Sequence, residues 1–321
     1  VYTDGFGHGT FMAGLIAGGS VPGTHGRAIG VAPGATVVVV RVARPDGSSS
    51  LSKVLGGLDW VANHASTIDV ANLSLSHRRP NASYGADPLT NAVEQVRMAG
   101  VNIVVSSGND ASVVSEPGFD PRVITVGAAD LADRTVAAFS GRGTINGVVK
   151  PDVVANGVRV MGVLPTDSLL AQASSTKKLA NGLYRGSGTS QATAVTSGVV
   201  AIFLDEYPDA TTAQVKGSLR CSALPLAGTG DGEGLVRVNK KVCADQDGQA
   251  LDGSGDATGE SSFDASSWGA SSWGASSWSA SSWGASSWGA SSWGASSWGA
   301  SSWGASSWGA SSWGSFGWGD S

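Results

Sequence analysis

Residues 101–109 read VNIVVSSGN, a nearly continuous apolar run that ends in two serines, a glycine and an asparagine. A run this short, rich in β-branched residues and bounded by turn formers, predicts a strand buried on both faces. The helix-like stretch PLTNAVEQVRMAG (88–100) precedes it, and RVITVGAAD (122–130) follows it as a second strand of the same character. This region therefore reads as strands separated by helices.

The same alternation continues toward the N-terminus. ATVVVVRV (35–42) and DVANLSLS (69–76) predict two further strands, and SSSLSKVLGGLDWVANHA (48–65) between them has the spacing of an amphipathic helix with serines at its start. Apolar strands that alternate with helices indicate a mostly parallel sheet covered by helices on both faces. We therefore expect a doubly wound α/β domain, whose sites collect at the carboxyl ends of the strands.

Three polar residues stand where such a site would form. His8 lies in GHGTFMAGLIAG (7–18), Asn109 follows the buried strand, and Ser190 lies in GTSQATAVTSGVVA (188–201), where a glycine-rich loop leads into an apolar helix. Acyl transfer requires a serine, a base and an amide donor, because the hydroxyl must lose its proton and the oxyanion must be stabilised. Each residue alone also fits a structural role: a helix N-cap for the serine, a turn for the asparagine and a surface position for the histidine.

Together these motifs resemble those of the subtilisin-like serine proteases. GHGTFMAGLIAG is similar to that family's histidine motif, SSGN (106–109) to its oxyanion asparagine, and GTSQATAVTSGVVA to its serine motif, in family order within residues 1–244. The resemblance implies a subtilisin-like fold and a serine endopeptidase. It implies that His8 is the general base and acid, that Ser190 is the nucleophile, and that Asn109 with the Ser190 backbone N–H forms the oxyanion hole.

The resemblance also implies where substrate binds. Ser74, Leu75 and Ser76 correspond to the edge that pairs with an extended substrate backbone, and Gly108 to a further residue of the binding site. Such pairing reads the backbone more than side chains, so the partners expected are protein or peptide substrates. The family's metal ligands are scattered over loops, so the sequence names no metal ligand; we expect no cofactor and leave a calcium site open.

One member of the catalytic triad has no counterpart here. The family's order is Asp, His, Ser, but only seven residues precede His8, and Asp4 matches the acidic residue that often stands before the histidine motif. We therefore expect the sequence to be a fragment that lacks the first strand or strands and the catalytic Asp, with impaired hydrolysis. A sheet without an inner strand would also expose apolar edges.

Two further stretches bear on the surroundings of the site. LPTDSLLAQASSTKKLANGLY (164–184) lengthens the interval between Asn109 and Ser190, and it predicts an inserted surface loop near the active site. Glu116, which precedes a proline, reads as a solvated surface acid; a place close to the specificity pocket is the second interpretation.

The charge of the chain changes at residue 245. Residues 1–244 carry all 20 basic side chains and 18 acidic ones, a balance of +2, whereas the remainder carries seven acidic side chains and no basic one. Nothing in this distribution predicts the basic face that binds nucleic acid. No apolar run reaches the roughly 18 residues of a membrane-spanning helix.

The cysteines and the N-terminal sequence bear on the compartment. Cys221 and Cys243 lie 22 residues apart without metal-type spacing, and they fit either one disulfide or two buried thiols. No signal peptide is visible, since no basic start leads into an apolar stretch. The family resemblance implies an extracellular or cell-surface protein.

The last part of the chain divides in two. Residues 245–262 form an acidic Gly/Ser linker with too little apolar content to fold, and residues 263–321 repeat ASSWG, with tryptophan at every fifth position from Trp268 to Trp318. A step of five gives no single apolar face on a helix or a strand, which leaves a flexible tail or a stacked repeat. Regular tryptophans can stack on sugars, so one hypothesis is contact with a cell surface or polysaccharide. The alternative function is therefore a non-catalytic subtilase-like protein whose tail is the binding or structural module.

Overall fold

A parallel sheet forms the centre of the fold. The computed structural model describes residues 3–22, 24–76, 87–111, 113–145, 147–173, 178–179, 181–238 and 242–243. Within these ranges the helices are α1 (His8–Ala17), α2 (Leu51–Asn63), α3 (Pro88–Met98), α4 (Leu169–Gln172), α5 (Thr189–Glu206) and α6 (Thr212–Ser222). The strands are β1 (Val70–Leu73), β2 (Asn102–Ser106), β3 (Ile124–Asp130), β4 (Thr135–Val136), β5 (Gly143–Ile145), β6 (Val148–Lys150), β7 (Val153–Asn156), β8 (Val160–Gly162) and β9 (Tyr184–Gly186).

The main sheet has the parallel order β1, β2, β3, β7. Leu73 pairs with Val105, Ser106 with Val126, and Val126 also with Val153 on the other side of β3. β4 pairs antiparallel with the end of β3, and two antiparallel pairs, β5 with β6 and β8 with β9, lie outside this sheet. The carboxyl ends of β1 and β2 therefore lie side by side.

Helices cover both faces of the sheet. Ile103 and Val105 of β2 belong to a core cluster with the buried faces of α2 and α3. Val104, between them in sequence, belongs to a second cluster with α5 and α6. Because successive side chains of a strand point to opposite faces, α2 and α3 lie on one side and α5 and α6 on the other. The predicted α/β architecture, a mainly parallel sheet between helices, is confirmed.

The prediction of a strand over residues 35–42 is wrong. No strand forms there, and Val37, Val38 and Val39 are 42%, 52% and 70% exposed. Val40 and Val42 pack against the cluster that includes α2. A strand exists only through hydrogen bonds to a neighbouring strand, and none among the described residues pairs with this stretch. Val40 and Val42 are therefore packed, but the stretch lacks the strand-to-strand hydrogen bonds that its apolar pattern predicts.

A buried group of charges ties α6 to β3 and β7. Asp152 accepts from the Lys150 Nζ at 2.8 Å and forms an ion pair with the Lys216 Nζ at 3.0 Å. The Lys216 ammonium also donates to the carbonyl oxygens of Pro121 and Val123. Burial lowers the pKa of Lys150 to about 7, although the neighbouring Asp152 raises it. Charges this deeply buried persist because they are paired and hydrogen-bonded.

Two findings bear on the remaining predictions about the chain. Cys221 of α6 and Cys243 form a disulfide with their Cα atoms 6.6 Å apart, which resolves the choice between a bridge and two thiols. In the described part of the chain, no helix has the length and apolar character that crossing a membrane requires. The linker and the ASSWG repeats lie outside the described residues.

Adjacent glycines in α2 test how α2 packs. A Cβ built on Gly57 lies 2.5 Å from Val42 Cγ1 and 3.3 Å from Val40 Cγ1, whereas a Cβ on exposed Gly56 meets nothing within 4 Å. We expect Gly57→Ala to lower the free energy of unfolding by about 1–3 kcal/mol through overpacking. Gly56→Ala should raise it by about 1 kcal/mol because alanine favours the helix. Urea denaturation of both variants measures the difference, and equal effects would contradict the packing of residues 40–42 on α2.

Candidate active site

Asp4 holds the first turn of α1, which begins at His8. Asp4 Oδ1 accepts from the Gly7 N–H at 2.8 Å, and Oδ2 accepts from the Thr10 N–H at 2.7 Å and the Thr10 hydroxyl at 2.9 Å. These bonds satisfy amides that a helix N-terminus leaves without intrahelical partners. Burial raises the pKa of Asp4, but the hydrogen bonds and the nearby His8 outweigh that effect and hold the pKa below its usual value. The carboxylate of Asp4 is thus engaged with α1.

The imidazole of His8 is buried and neutral at pH 7. The residue is 8% exposed. Burial lowers the pKa of His8 to about 4, and the attraction of the Asp4 charge opposes that shift. A neutral imidazole can accept a proton, which a general base requires. A carboxylate placed beside the ring would raise this pKa toward neutrality.

α1 and α5 run side by side in the same direction. Ala194 of α5 belongs to the core cluster of Phe11 and Met12 of α1. One turn further along both helices, a Cβ built on Gly198 lies 3.3 Å from the Ile16 carbonyl oxygen. Contact positions thus advance together along both helices. The first turn of α1, with His8, therefore lies at the same end of the pair as the first turn of α5, which carries Ser190.

Ser190 is the second residue of α5 and contacts the end of β1. Its Oγ lies 3.5 Å from the carbonyl oxygen of Ser74, and the Ser74 hydroxyl donates to the carbonyl oxygen of Ser190 at 2.9 Å. The N-cap of α5 is Gly188, so Ser190 does not have the capping role that a lone serine would most often have. The residue is half-exposed in the first turn of the helix, where backbone N–H groups lack intrahelical partners.

Asn109 is fixed against the same helix end. Its Oδ1 accepts from the Thr189 N–H and from the Thr189 hydroxyl, both at 2.9 Å. Because a backbone N–H can only donate, these bonds identify Oδ1 as the side-chain atom that faces Thr189. Nδ2, the donor, is thereby turned away from Thr189. The structure therefore brings together Ser74, Asn109 and Ser190, three of the residues that the sequence singled out.

Gly108 requires the absence of a side chain. Its φ is +96°, and a Cβ there would collide with the Ser115 side chain. Its carbonyl oxygen accepts from the Gly141 N–H at 2.8 Å, and the Ser115 N–H donates to Ser107 at 2.9 Å. The loop that follows β2 is thus held close to the strand end from two sides, and it carries Asn109 next to α5.

The expected substrate edge is described up to Ser76. Leu75 is buried, and its carbonyl oxygen accepts from the Ser106 hydroxyl at 3.2 Å. Ser76 is half-buried, and residues 77–86 lie outside the described ranges. These contacts fix the edge to β2 on one side, while Ser74 fixes it to α5 on the other. Its pairing with substrate stays a prediction.

The stretch predicted as an inserted loop packs beside the histidine segment. The N–H groups of Leu169 and Leu170 in α4 donate to the carbonyl oxygens of Gly5 and Phe6 at 2.8 and 3.1 Å. Ser168 caps α4, accepting from the Ala171 N–H at 3.3 Å. The stretch is only partly a surface loop, because α4 buries Leu170 against the cluster of α1. Residues 174–177 and 180 are outside the described part.

Two further observations differ from or extend the sequence interpretation. Glu116, read as a solvated surface acid, is 2% exposed, because the bond from Ser115 to Ser107 draws its segment against β2. Sequence reasoning also missed Thr189 and Asn72 as partners of the site. The signal available for Asn72 was a polar residue inside an apolar strand.

The chain matches the family model described as Peptidase_S8, the subtilase family, over residues 1–256. Serine protease AprX of Bacillus subtilis is 34% identical over 233 residues, which cover 68% of this chain and 52% of that protein. The chain thus spans about half the length of AprX. Subtilisin BL of Lederbergia lenta is 35% identical over 237 residues, covering 73% of this chain and 77% of that protein.

A solved structure supports the same likeness. The crystal structure of a cold adapted subtilisin-like serine proteinase is similar with a TM-score of 0.57 and 30% sequence identity. The match covers 76% of this chain and 77% of the other.

Burial of His8 predicts acid sensitivity of the fold. In the unfolded chain an imidazole binds a proton near pH 6.5, whereas in the folded chain His8 stays neutral down to about pH 4. Acidification through this window therefore favours unfolding, by up to about 3 kcal/mol from His8 alone. We expect the wild-type free energy of unfolding to fall more steeply between pH 6.5 and 4 than that of His8→Gln. The exposed His25, changed to Gln, is the matched control, and parallel curves for wild type and His8→Gln would refute the burial effect.

Proposed function

The chain belongs to the subtilase family of serine proteases, and from that premise we propose that it is an endopeptidase that cleaves peptide bonds through Ser190. His8 takes the hydroxyl proton as Ser190 Oγ attacks the substrate carbonyl carbon, and the carbonyl oxygen becomes an oxyanion. The oxyanion accepts hydrogen bonds from Asn109 Nδ2 and from the Ser190 N–H. His8 then passes the proton to the leaving amine, and water releases the acyl group by the same steps.

The observation that carries this proposal is the fixed orientation of Asn109. Both bonds from Thr189 hold Oδ1, so the donor end of the amide is set before substrate arrives. Preorganised donors lower the energy of the oxyanion without reorganisation during the reaction. A structural asparagine in a turn would have no need of this orientation next to a helix that begins Thr189–Ser190.

We place the third member of the triad outside residues 1–321. Three donors of α1 and its preceding turn already engage the Asp4 carboxylate. The exposed valines at 37–39 offer apolar surface that a further strand would cover. A carboxylate on such a strand would orient the imidazole and raise its pKa from about 4, so without it we expect hydrolysis to be weak.

Protein or peptide substrates fit the site because the expected binding edge is backbone. The stretch Ser74–Leu75–Ser76 follows a strand and lies beside the nucleophile, which suits an extended substrate chain added as a further strand. The disulfide between Cys221 and Cys243 supports an oxidising, extracellular location.

A serine-directed fluorophosphonate tests the proposal on protein expressed from the complete reading frame. We expect labelling at Ser190 and none in Ser190→Ala. Asn109→Leu should lower kcat for a peptide substrate by about 10²–10³-fold, the magnitude known for the equivalent change in subtilisin itself. Ser187→Ala is the matched control, because Ser187 lies three residues earlier and its Oγ accepts from the Arg159 N–H. A folded wild-type protein that is not labelled would rule out the proposed function.

The regular tryptophans favour a second function for the tail. Residues 265–319 carry no charged side chain and present an indole at every fifth position, a composition suited to stacking on neutral sugar rings. We propose that this tail attaches the protein to polysaccharide at a cell surface. Pull-down on insoluble polysaccharide should retain the full chain and release a chain ending at residue 262. Equal retention of the two chains would contradict attachment through the tail.

A further inference from the structure

A chain of side-chain hydrogen bonds links the third turn of α5 to the nucleophile through β1. The Ser197 hydroxyl donates to Asn72 Oδ1 at 2.9 Å, and Asn72 Nδ2 donates to the Ser74 Oγ at 3.0 Å. The Ser74 hydroxyl then donates to the carbonyl oxygen of Ser190 at 2.9 Å. Each hydroxyl has one proton to donate, so all three bonds point the same way along the chain. Bonds aligned in this manner polarise and strengthen one another.

We propose that Asn72 is a positioning residue that fixes where Ser190 lies along the axis of α5 relative to β1. This inference rests on the proposed function. Ser190 and Ser197 are seven residues apart and share a face of α5. Asn72 and Ser74 are two residues apart along an extended stretch, so their side chains lie on the same face of the sheet. The amide of Asn72 bridges these two faces, since its two ends bind Ser197 and Ser74 at once.

The part of α5 near Ser190 benefits from such a bond because its buried apolar residues are small. Ala192, Ala194 and Gly198 lie in this part, whereas the larger buried residues Val199, Val200 and Phe203 follow further along the helix. Dispersion contacts between small groups are weak and not directional, whereas hydrogen bonds fix distance and angle. Asn72 is therefore the group in β1 that holds α5 in register with the strand.

The position of α5 affects both the proposed nucleophile, Ser190, and the proposed oxyanion donor, Asn109. Thr189, one residue before Ser190, holds Asn109 Oδ1, while Ser74 holds the carbonyl of Ser190. A shift of α5 along its axis would move the nucleophile relative to the edge at 74–76, from which substrate is presented. A displacement of about 1 Å can cost about 10²-fold in rate. The loss would appear in the chemical step rather than in substrate binding.

Two variants remove the bridge in different ways. Asn72→Leu removes both bonds with a side chain of similar size, and Ser197→Ala removes one hydroxyl from a residue that is 1% exposed. The matched control is Thr196→Val on the same helix, because among the described residues the Thr196 hydroxyl bonds only within α5, to the Ala192 carbonyl at 2.9 Å. Should Asn72→Leu fail to fold, Ser197→Ala carries the test, since it leaves packing volume almost unchanged.

The measurements are the rate of fluorophosphonate labelling at Ser190, and kcat and KM for a peptide substrate, on full-length protein. We expect Asn72→Leu to lower labelling and kcat by about 10²-fold and Ser197→Ala by about tenfold, with KM changed less than about threefold. The double variant should lose no more than Asn72→Leu alone, because the two residues act as one unit. Thr196→Val should keep the wild-type rates.

The outcomes separate this inference from the function on which it rests. If folded wild-type protein is not labelled, the proposed function fails and the positioning role falls with it. If wild-type protein is labelled and the folded Asn72 and Ser197 variants react at the same rate, only the positioning role is overturned. A rise in KM with unchanged kcat, or an equal fall in kcat and labelling rate in Thr196→Val, would also overturn it.

Discussion

The structure depends on the close approach of α5 to the sheet and to α1. This helix packs against β1, β2, β3, β7 and α1, and most of its residues are buried. Gly198 shows how close the approach to α1 is, because a Cβ there would lie 3.3 Å from the Ile16 carbonyl oxygen. The first turn of α5 carries Ser190, the proposed nucleophile, so core packing brings that residue to the end of β1, where hydrogen bonds fix it. A catalytic residue on such an element is held more accurately than one on a loop.

The elements with a local signal were predictable from the sequence. The strands β1, β2 and β3 and the helices α2, α3 and α5 follow from apolar periodicity, and α2 also from the serines at its start. Residues 35–42 have the strongest strand composition in the chain and form no strand. Periodicity reports which side of a segment can be buried, whereas pairing depends on a neighbour that the segment itself does not encode.

The site was predictable as a set of residues but not as a set of contacts. Motifs identified His8, Asn109 and Ser190, yet the bonds that fix Asn109 and Ser190 join positions 80 and 116 residues apart in the chain. Asn72 and Thr189 carry no local signal of these partners beyond a polar group in an apolar setting. The prediction for Glu116 was wrong for the same reason, because its segment is held by a bond from its neighbour Ser115 to Ser107, the residue after β2. The role of a polar residue depends on its hydrogen-bond partners, and the fold determines which residues these are.

The proposed site has two parts, the oxyanion residues around Asn109 and the surroundings of the His8 imidazole, and they differ in how completely their contacts are formed. The half proposed to stabilise the oxyanion has its contacts within the described residues, since Thr189 orients Asn109 and Ser74 holds the Ser190 carbonyl. The imidazole half is positioned by the Asp4 cap and by α4, but burial leaves the pKa of His8 at about 4, too low for an efficient base at neutral pH. A further carboxylate would therefore act on proton transfer and leave oxyanion stabilisation unchanged. Oxyanion stabilisation and substrate binding alone retain about 10³–10⁴-fold catalysis over water in subtilisin. Under the proposed function, the oxyanion half would therefore supply a baseline rate that does not depend on the third triad member.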